Sequence, residues 1–252
     1  MLAETRNLPH TRIRKLRYSL LMSLLPNSFR ALVIGSSGTI GSAFIDLLKA
    51  NPACSEAVGV HRHSEFLIDY QNLESIESCA TALSHAAPFQ LIINTIGVLH
   101  TNKWMPEKRL DDLNAEQLIE LMTVNAIGPA LTIRHFSKLL DPKNSILVTL
   151  SAKVGSIEDN RLGGWYSYRA SKAALNMLVK TTSIEWTRTK PNTALIAMHP
   201  GTVNSRLSKP FRGEQIGRPA DQAAAEMFSV IEKLQKEDTG SFLTYSGEKL
   251  PW

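Results

Sequence analysis

Six short apolar runs recur along the chain, each separated from the next by enough residues for a helix. They are "ALVIG" (31–35), "EAVGVHR" (56–62), "FQLIINTIG" (89–97), "SILVTLSA" (145–152), "NTALIAMHPG" (192–201) and "GSFLTYSG" (240–247). "TIGSAFIDLLKAN" and the segments 72–87, 114–140, 166–188 and 220–236 lie between them with helical periodicity. Asn114 followed three residues later by Gln117 marks a helix start, and Pro142 follows the end of that helix. Short apolar strands alternating with helices predict an α/β domain: a doubly wound parallel sheet of about seven strands with helices on both faces. In such sheets ligands bind beyond the carboxyl ends of the strands, so the residues just after each run are the candidate site.

At 252 residues and 43% hydrophobic, the chain can bury a full core. With no repeat or linker after residue 30, residues 30–252 read as one domain. Residues 1–29 are basic and nearly free of acids. That stretch fits a targeting presequence, a disordered upstream extension with the real start further in, for instance at Met22, or a loose arm packed on the domain. A cytoplasmic location follows unless it is a presequence, in which case the location is mitochondrial or plastid. Cys54 and Cys79 are too few for a disulfide framework and lack the partners of a metal site, so no metal is expected. No apolar run approaches the roughly 20 residues of a membrane span. The net charge of +5 sits largely in the first thirty residues, which argues against nucleic acid as a partner.

"GSSGTIG" (35–41) closes the first run and opens the first helix. Gly35 permits a tight turn, Gly38 lets the backbone approach a pyrophosphate, and Gly41 allows close helix–strand packing. The helix N-terminus adds N–H donors and a positive dipole end. Placed after the first strand of an alternating chain, this predicts a Rossmann-type dinucleotide site; a purely structural turn is the alternative. The second run ends "GVHRHS", with Arg62 and no acid. An acid there would grip a ribose 2′-hydroxyl and repel a 2′-phosphate, whereas an arginine pairs with the phosphate. NADP (as NADPH) is therefore expected over NAD, with Arg62 as the clamp, unless Arg62 is only a solvated surface charge.

In "YSYRASK" (166–172) Tyr168 and Lys172 stand four apart and share a helix face, while Tyr166 points elsewhere. A free tyrosine titrates near pH 10 and shuttles protons poorly at neutrality. A neighbouring ammonium favours the phenolate and lowers that value.

Together these motifs resemble the short-chain dehydrogenase/reductase family over about residues 31–252. "GSSGTIG" is similar to its glycine motif, "NTIG" (94–97) to its Asn-Asn-Ala-Gly segment, "VNAIGP" (124–129) to the helix bearing its asparagine, "YRASK" to its Tyr-x-x-x-Lys, and "HPGTVNS" (199–205) to its Pro-Gly loop. "GSIEDNRLGGWYSYRASKAALNML" and "SGEKLPW" are more narrowly similar to the C-factor-like carbonyl-reductase branch. The resemblance implies hydride transfer between nicotinamide and a carbonyl or alcohol. Tyr168 is then the general acid or base, and Lys172 tunes it and holds the nicotinamide ribose. Asn125 helps hold a water linking Lys172 to solvent, or is simply a buried Asn satisfied by backbone. Ser37 and Ile40 join the three glycines at the phosphates, and Asn94 and Gly97 line the adenosine-ribose side. Asp69 contacts adenine or caps the next helix. Pro200, Gly201 and Val203 border the nicotinamide amide, with Ser205 where many relatives have threonine.

One position departs from the pattern. Relatives place a serine three residues before the glycine ending the fourth run, where it hydrogen-bonds the substrate oxygen. Here Ser151 lies four before Gly155 and Ala152 occupies the expected place. Strand alternation turns one of the two away from the site. A bulge could restore Ser151, Ser156 or Lys153 could substitute, or the contact is absent.

The pocket is expected from residues after the third and fourth runs, Trp165, and a covering loop at 202–219 in which Leu207 and Phe211 exclude water. Arg206, Lys209 and Arg212 make that loop basic, either for a polar substrate or as surface charge. The helices 114–140 and 166–188 pair subunits in many relatives, which implies a homodimer or homotetramer. The leading expectation is an NADPH-dependent carbonyl reductase; the alternative is a low-activity, nucleotide-binding signalling protein of C-factor type.

Overall fold

A computed structural model describes residues 23–252, so the expectations for residues 1–22 lie outside the described residues. The strands are β1 (Phe29–Ile34), β2 (Cys54–Val60), β3 (Leu91–Asn94), β4 (Ser145–Leu150), β5 (Thr193–His199) and β6 (Phe242–Thr244). They form one parallel sheet in the order β2-β1-β3-β4-β5-β6. Among the described residues the sheet has six strands rather than about seven. The stretch after β2, Phe66–Tyr70, touches the end of β2 through Ile68 N–H to His61 C=O at 3.3 Å. Its bridge is the local Asp69–Asn72 pair, so it adds no strand.

The helices are α1 (Thr39–Ala50), α2 (Glu74–Ala82), α3 (Ala115–Met122), α4 (Gly128–Phe136), α5 (Tyr166–Thr189), α6 (Gly213–Ile216) and α7 (Ala220–Ile231). Asn114 caps α3, its side chain accepting the Gln117 N–H. A π-helical segment, Thr123–Ile127, joins α3 to α4.

Alternation along each strand divides the core. Ala31, Val33, Ile146, Val148 and Ile196 face one side with Phe44 and Leu48 of α1 and Met227 and Phe228 of α7. Leu32, Ile34, Leu147 and Leu195 face the other with Ile76 of α2, Ile133 and Phe136 of α4, and Leu175 and Val179 of α5. Helices therefore cover both faces, as continuous apolar strands require. Leu24 is buried on the first side, its N–H bonded to Leu234 C=O at 3.2 Å. The chain leaves β1 toward β2 on one side and reaches β3 on the other, and this switch point is where such sheets open a crevice.

Candidate active site

The turn after β1 is built around close backbone contact. Gly35 has φ +85°, and a Cβ there would lie 2.8 Å from Thr95 Oγ1 and from Ile96 Cγ1. A Cβ on Gly41 would lie 2.2 Å from the Gly35 carbonyl oxygen, so the first turn of α1 rests directly on the loop. Ile40 packs on the α1–α7 core, whereas Ser37 and Gly38 are exposed. Gly38 is the N-cap of α1 and no side chain caps that end. The result is an open backbone cradle at a helix N-terminus, a fit for a dinucleotide phosphate.

Arg62 is exposed beyond β2, in a turn that Ser64 closes by accepting the His61 N–H at 2.8 Å. Asp69 is half-buried; its Oδ1 accepts the Gln71 N–H at 3.0 Å, a local turn, and α2 begins only at Glu74. Asn94 is buried at the end of β3, where it accepts the Ile96 N–H at 3.2 Å and reaches Thr149 Oγ1 on β4 at 3.4 Å.

Gly97 lies between two site residues: a Cβ there would be 3.3 Å from Lys172 Nζ and 3.4 Å from Asn125 Oδ1. Asn125, fully buried in the π-helical segment, clasps Val98 from both sides. Its Oδ1 accepts the Val98 N–H at 2.8 Å, and its Nδ2 donates to Val98 C=O at 2.7 Å and Ser171 Oγ at 3.1 Å. The asparagine is thus satisfied largely by backbone, and it fixes the segment that leads from β3 into the pocket.

Tyr168 and Lys172 stand one turn apart on α5, both buried. Lys172 Nζ donates to Leu150 C=O at 3.0 Å and sits 6.0 Å from the Tyr168 ring centroid. Tyr166 is exposed. Burial pushes the Tyr168 phenol above its ordinary value and lowers Lys172 to about 8. His199, at the end of β5, is lowered to about 4, first by burial and then by Lys153, Arg218 and Lys172.

The start of α5 depends on a residue that no motif flagged. The N-cap Trp165 adopts φ 54°, ψ 43°, and its N–H donates to Glu107 C=O at 2.5 Å. The buried Glu107 carboxyl accepts the Ser167 N–H at 3.3 and 3.2 Å and also the Ser167 hydroxyl. A side chain 60 residues away in sequence therefore caps the helix that carries Tyr168.

Ser151 faces α5, about two helical turns past Tyr168. Leu147 faces α5, and Ser151, four residues on, keeps the same side; its Oγ donates to Asn176 Oδ1 at 2.6 Å. Ala152 is extended (φ −147°, ψ 143°), so alternation continues without a bulge. Ala152 instead joins Tyr168, Leu99 and Leu121 in a small apolar cluster. The two substitute donors are engaged elsewhere: Ser156 with Trp252 C=O at 3.2 Å, Lys153 with Asp159 at 3.5 Å.

Trp165, Leu207 and Phe211 pack against that cluster. Trp165 lies edge-on to Tyr168 at 6.2 Å between centroids and 5.0 Å from Phe211. The 202–219 loop thus brings its two apolar side chains to the tyrosine, while Arg206, Lys209 and Arg212 are exposed. Lys209 pairs with Glu214 at 3.2 Å. On the other side of the site, Gly201 has φ +70°, and a Cβ there would meet Arg218 Nη2 at 2.5 Å. Arg218, also unflagged, stacks 3.4 Å over Tyr245, bonds Pro200 C=O and pairs with Glu226. Its backbone brackets the buried Val203, with Asn204 N–H to Arg218 C=O at 2.9 Å and Arg218 N–H to Thr202 C=O at 3.0 Å. Ser205 bonds Ser208. Pro200, Gly201, Val203 and Ser205 therefore form one braced loop. No helix among the described residues is long and apolar enough to cross a membrane.

A Rossmann-type sheet with a glycine cradle at the switch point and a buried Tyr–Lys pair defines a nucleotide-dependent oxidoreductase fold. The family model of the short chain dehydrogenases matches residues 30–215, and the chain belongs to that family. It is 32% identical over 186 residues (73% of this chain, 78% of the relative) to 1-hydroxy-2-glutathionyl-2-methyl-3-butene dehydrogenase of Rhodococcus sp.. It is 31% identical over 167 residues (66% of this chain, 93% of the relative) to C-signal of Myxococcus xanthus. Its fold matches the NADPH-bound carbonyl reductase from chicken fatty liver with a TM-score of 0.75 at 22% identity, covering 90% of this chain and all of that one.

Proposed function

We propose that this chain is an NADPH-dependent carbonyl reductase in which Tyr168 protonates the substrate oxygen. The observation that carries the reading is the buried Tyr168 one helical turn from the buried Lys172, in an apolar cluster against which Trp165, Leu207 and Phe211 pack. When bound, NADPH supplies the hydride. The chain's own residues hold the nucleotide and move the proton. Gly35, Ser37, Gly38, Ile40 and Gly41 offer the phosphate cradle, and Arg62, with no acid beside it in "HRHS", suits a 2′-phosphate. Asp69, Asn94 and Gly97 lie on the adenosine side, and Pro200, Gly201, Val203 and Ser205 border the nicotinamide.

Tyr168, held as a neutral phenol by burial, is a proton donor suited to reduction. Lys172 supplies the positive charge that favours the phenolate once the proton has left. Asn125 keeps Val98 and the pocket wall in register with α5. Ser151 is left out of this chemistry because its hydroxyl is bonded to Asn176. Trp165, Leu207 and Phe211 exclude water from the reacting carbonyl.

Titration with NADPH and NADH, followed by a carbonyl panel, tests the reading. NADPH is expected to bind at least tenfold more tightly, roughly, with Arg62→Ser removing most of the difference. Tight NADH binding with none for NADPH would overturn the cofactor assignment.

A second reading, a slow nucleotide-binding signalling protein, draws on the C-signal likeness and on Ala152 in place of a donor hydroxyl. Pairing of two copies is supported by the exposed apolar side chains Ile119 and Ile127 beside α3 and α4, and Met177 and Ile184 on α5. Both cysteines are free thiols, which accords with a cytoplasmic location.

A further inference from the structure

We infer that Nε2 of His100 is a substrate contact, and that the substrate is a flat, conjugated carbonyl compound with a hydrogen-bond acceptor remote from the carbonyl. The inference rests on the reductase reading and narrows its substrate class.

His100 lies two residues past Val98, which Asn125 holds by both backbone groups, and one past Leu99, which is buried against Tyr168 and Ala152. The backbone leading into His100 is therefore held against the Tyr168 cluster. The His100 ring meets Phe211 edge-on at 6.0 Å; Phe211 lies 5.0 Å from Trp165, and Trp165 6.2 Å from Tyr168. These four rings make one continuous row of ring contacts, with the proton donor at one end and the imidazole at the other. Aromatic walls select planar ligands through stacking and edge contacts.

The other members of the apolar cluster around Tyr168 (Val98, Leu99, Leu121, Ala152, Val154 and Leu207) offer Nε2 no side-chain partner. Nε2 of His100 is enclosed and has no hydrogen-bond partner among the described residues. An enclosed polar atom without a partner costs roughly 1–3 kcal/mol, and a ligand atom in the pocket relieves that cost. An imidazole can present a donor there. With Phe211 and Trp165 between it and Tyr168 in the row, His100 bonds a second acceptor on the substrate and leaves the reacting oxygen to Tyr168.

The test measures NADPH-dependent reduction of benzaldehyde, pyridine-3-carbaldehyde and pyridine-4-carbaldehyde by the full chain and by His100→Phe and His100→Gln. The pyridines keep the flat shape and add one ring acceptor. Comparing the pyridine-to-benzaldehyde ratio of kcat/KM between proteins cancels the intrinsic electrophilicity of each aldehyde. That ratio is expected to fall about tenfold or more in His100→Phe for at least one pyridine, chiefly through KM, and to recover in part in His100→Gln. Benzaldehyde should change by less than about threefold, and NADPH binding should be unaltered. An unchanged ratio, or an equal loss for all three aldehydes, would overturn the inference while leaving the reductase reading intact. A parent protein that reduces none of them would overturn both.

Discussion

Ser151 donates its hydroxyl to Asn176 Oδ1 at 2.6 Å, and Asn176 stands one helical turn past Lys172 on the stripe of α5 that begins with Tyr168. The hydroxyl thus serves the junction between β4 and α5, while Ala152 occupies the place beside the phenol. A developing oxyanion gains most from donors aimed at it, and the loss of one such donor costs roughly a hundred- to thousandfold in rate. Ser151→Ala should therefore leave kcat within about threefold and lower stability by about 1 kcal/mol. Ala152→Ser should raise kcat by about tenfold, since Ala152 shares the small apolar cluster of Tyr168. Steady-state rates and urea midpoints of the two variants check this pair.

Lys172 is held at a cost. Its value falls from 10.5 to about 8 because burial disfavours the ammonium, so between those pH values the unfolded chain binds the proton that the folded chain has released. Stability consequently rises with pH across that window, and the full cost, on the order of 3 kcal/mol, is present at neutrality. Losing the bond to Leu150 C=O offsets about 1–2 kcal/mol of any gain from removing the charge. Lys172→Met should then be inactive yet more stable at pH 7 by on the order of 1–2 kcal/mol, an advantage that disappears above about pH 10. Urea unfolding at pH 7 and pH 10 decides it.

His199 sets an acid limb. It lies among Lys153, Arg218 and Lys172, and its value is lowered from 6.5 to about 4. The folded chain keeps it neutral where the unfolded chain protonates it, so stability is lost as pH falls through that interval, by about 2–3 kcal/mol. His199→Gln should flatten the decline between pH 6.5 and 4.5. Parallel curves for parent and variant would contradict the assignment.

Glu107 governs the first turn of α5. Glu107→Ala removes the acceptor for the Ser167 N–H and hydroxyl, which should cost about 1–3 kcal/mol of stability. Because Tyr168 is the next residue along, kcat should also fall about ten- to hundredfold through misplacement. Glu107→Gln retains one acceptor oxygen and should lie between Ala and the parent in both urea midpoint and rate.

What the sequence made legible is whatever is written in local spacing. Alternating apolar runs located the six strands of the described residues, the Asn114–Gln117 pair located the start of α3, and a four-residue interval paired Tyr168 with Lys172. Strand number was less legible: six runs were quoted and about seven strands expected, and the sheet of the described residues has six. Glu107 and Arg218 were invisible for another reason. Each acts on residues distant in the chain, Glu107 on α5 and Arg218 on the Pro200 loop, and neither lies in a periodic segment. The Ser151–Ala152 alternatives follow from alternation, whereas the partner of Ser151, Asn176 on α5, is set by tertiary packing that local spacing does not carry.

The central claim is that Tyr168 is the proton donor of a reductase. NADPH oxidation with a reducible aldehyde, measured for the parent and for Tyr168→Phe alongside NADPH affinity, tests it most directly. The account predicts a rate loss of at least about a hundredfold with nucleotide binding changed by less than about threefold. Undiminished turnover in Tyr168→Phe would contradict it.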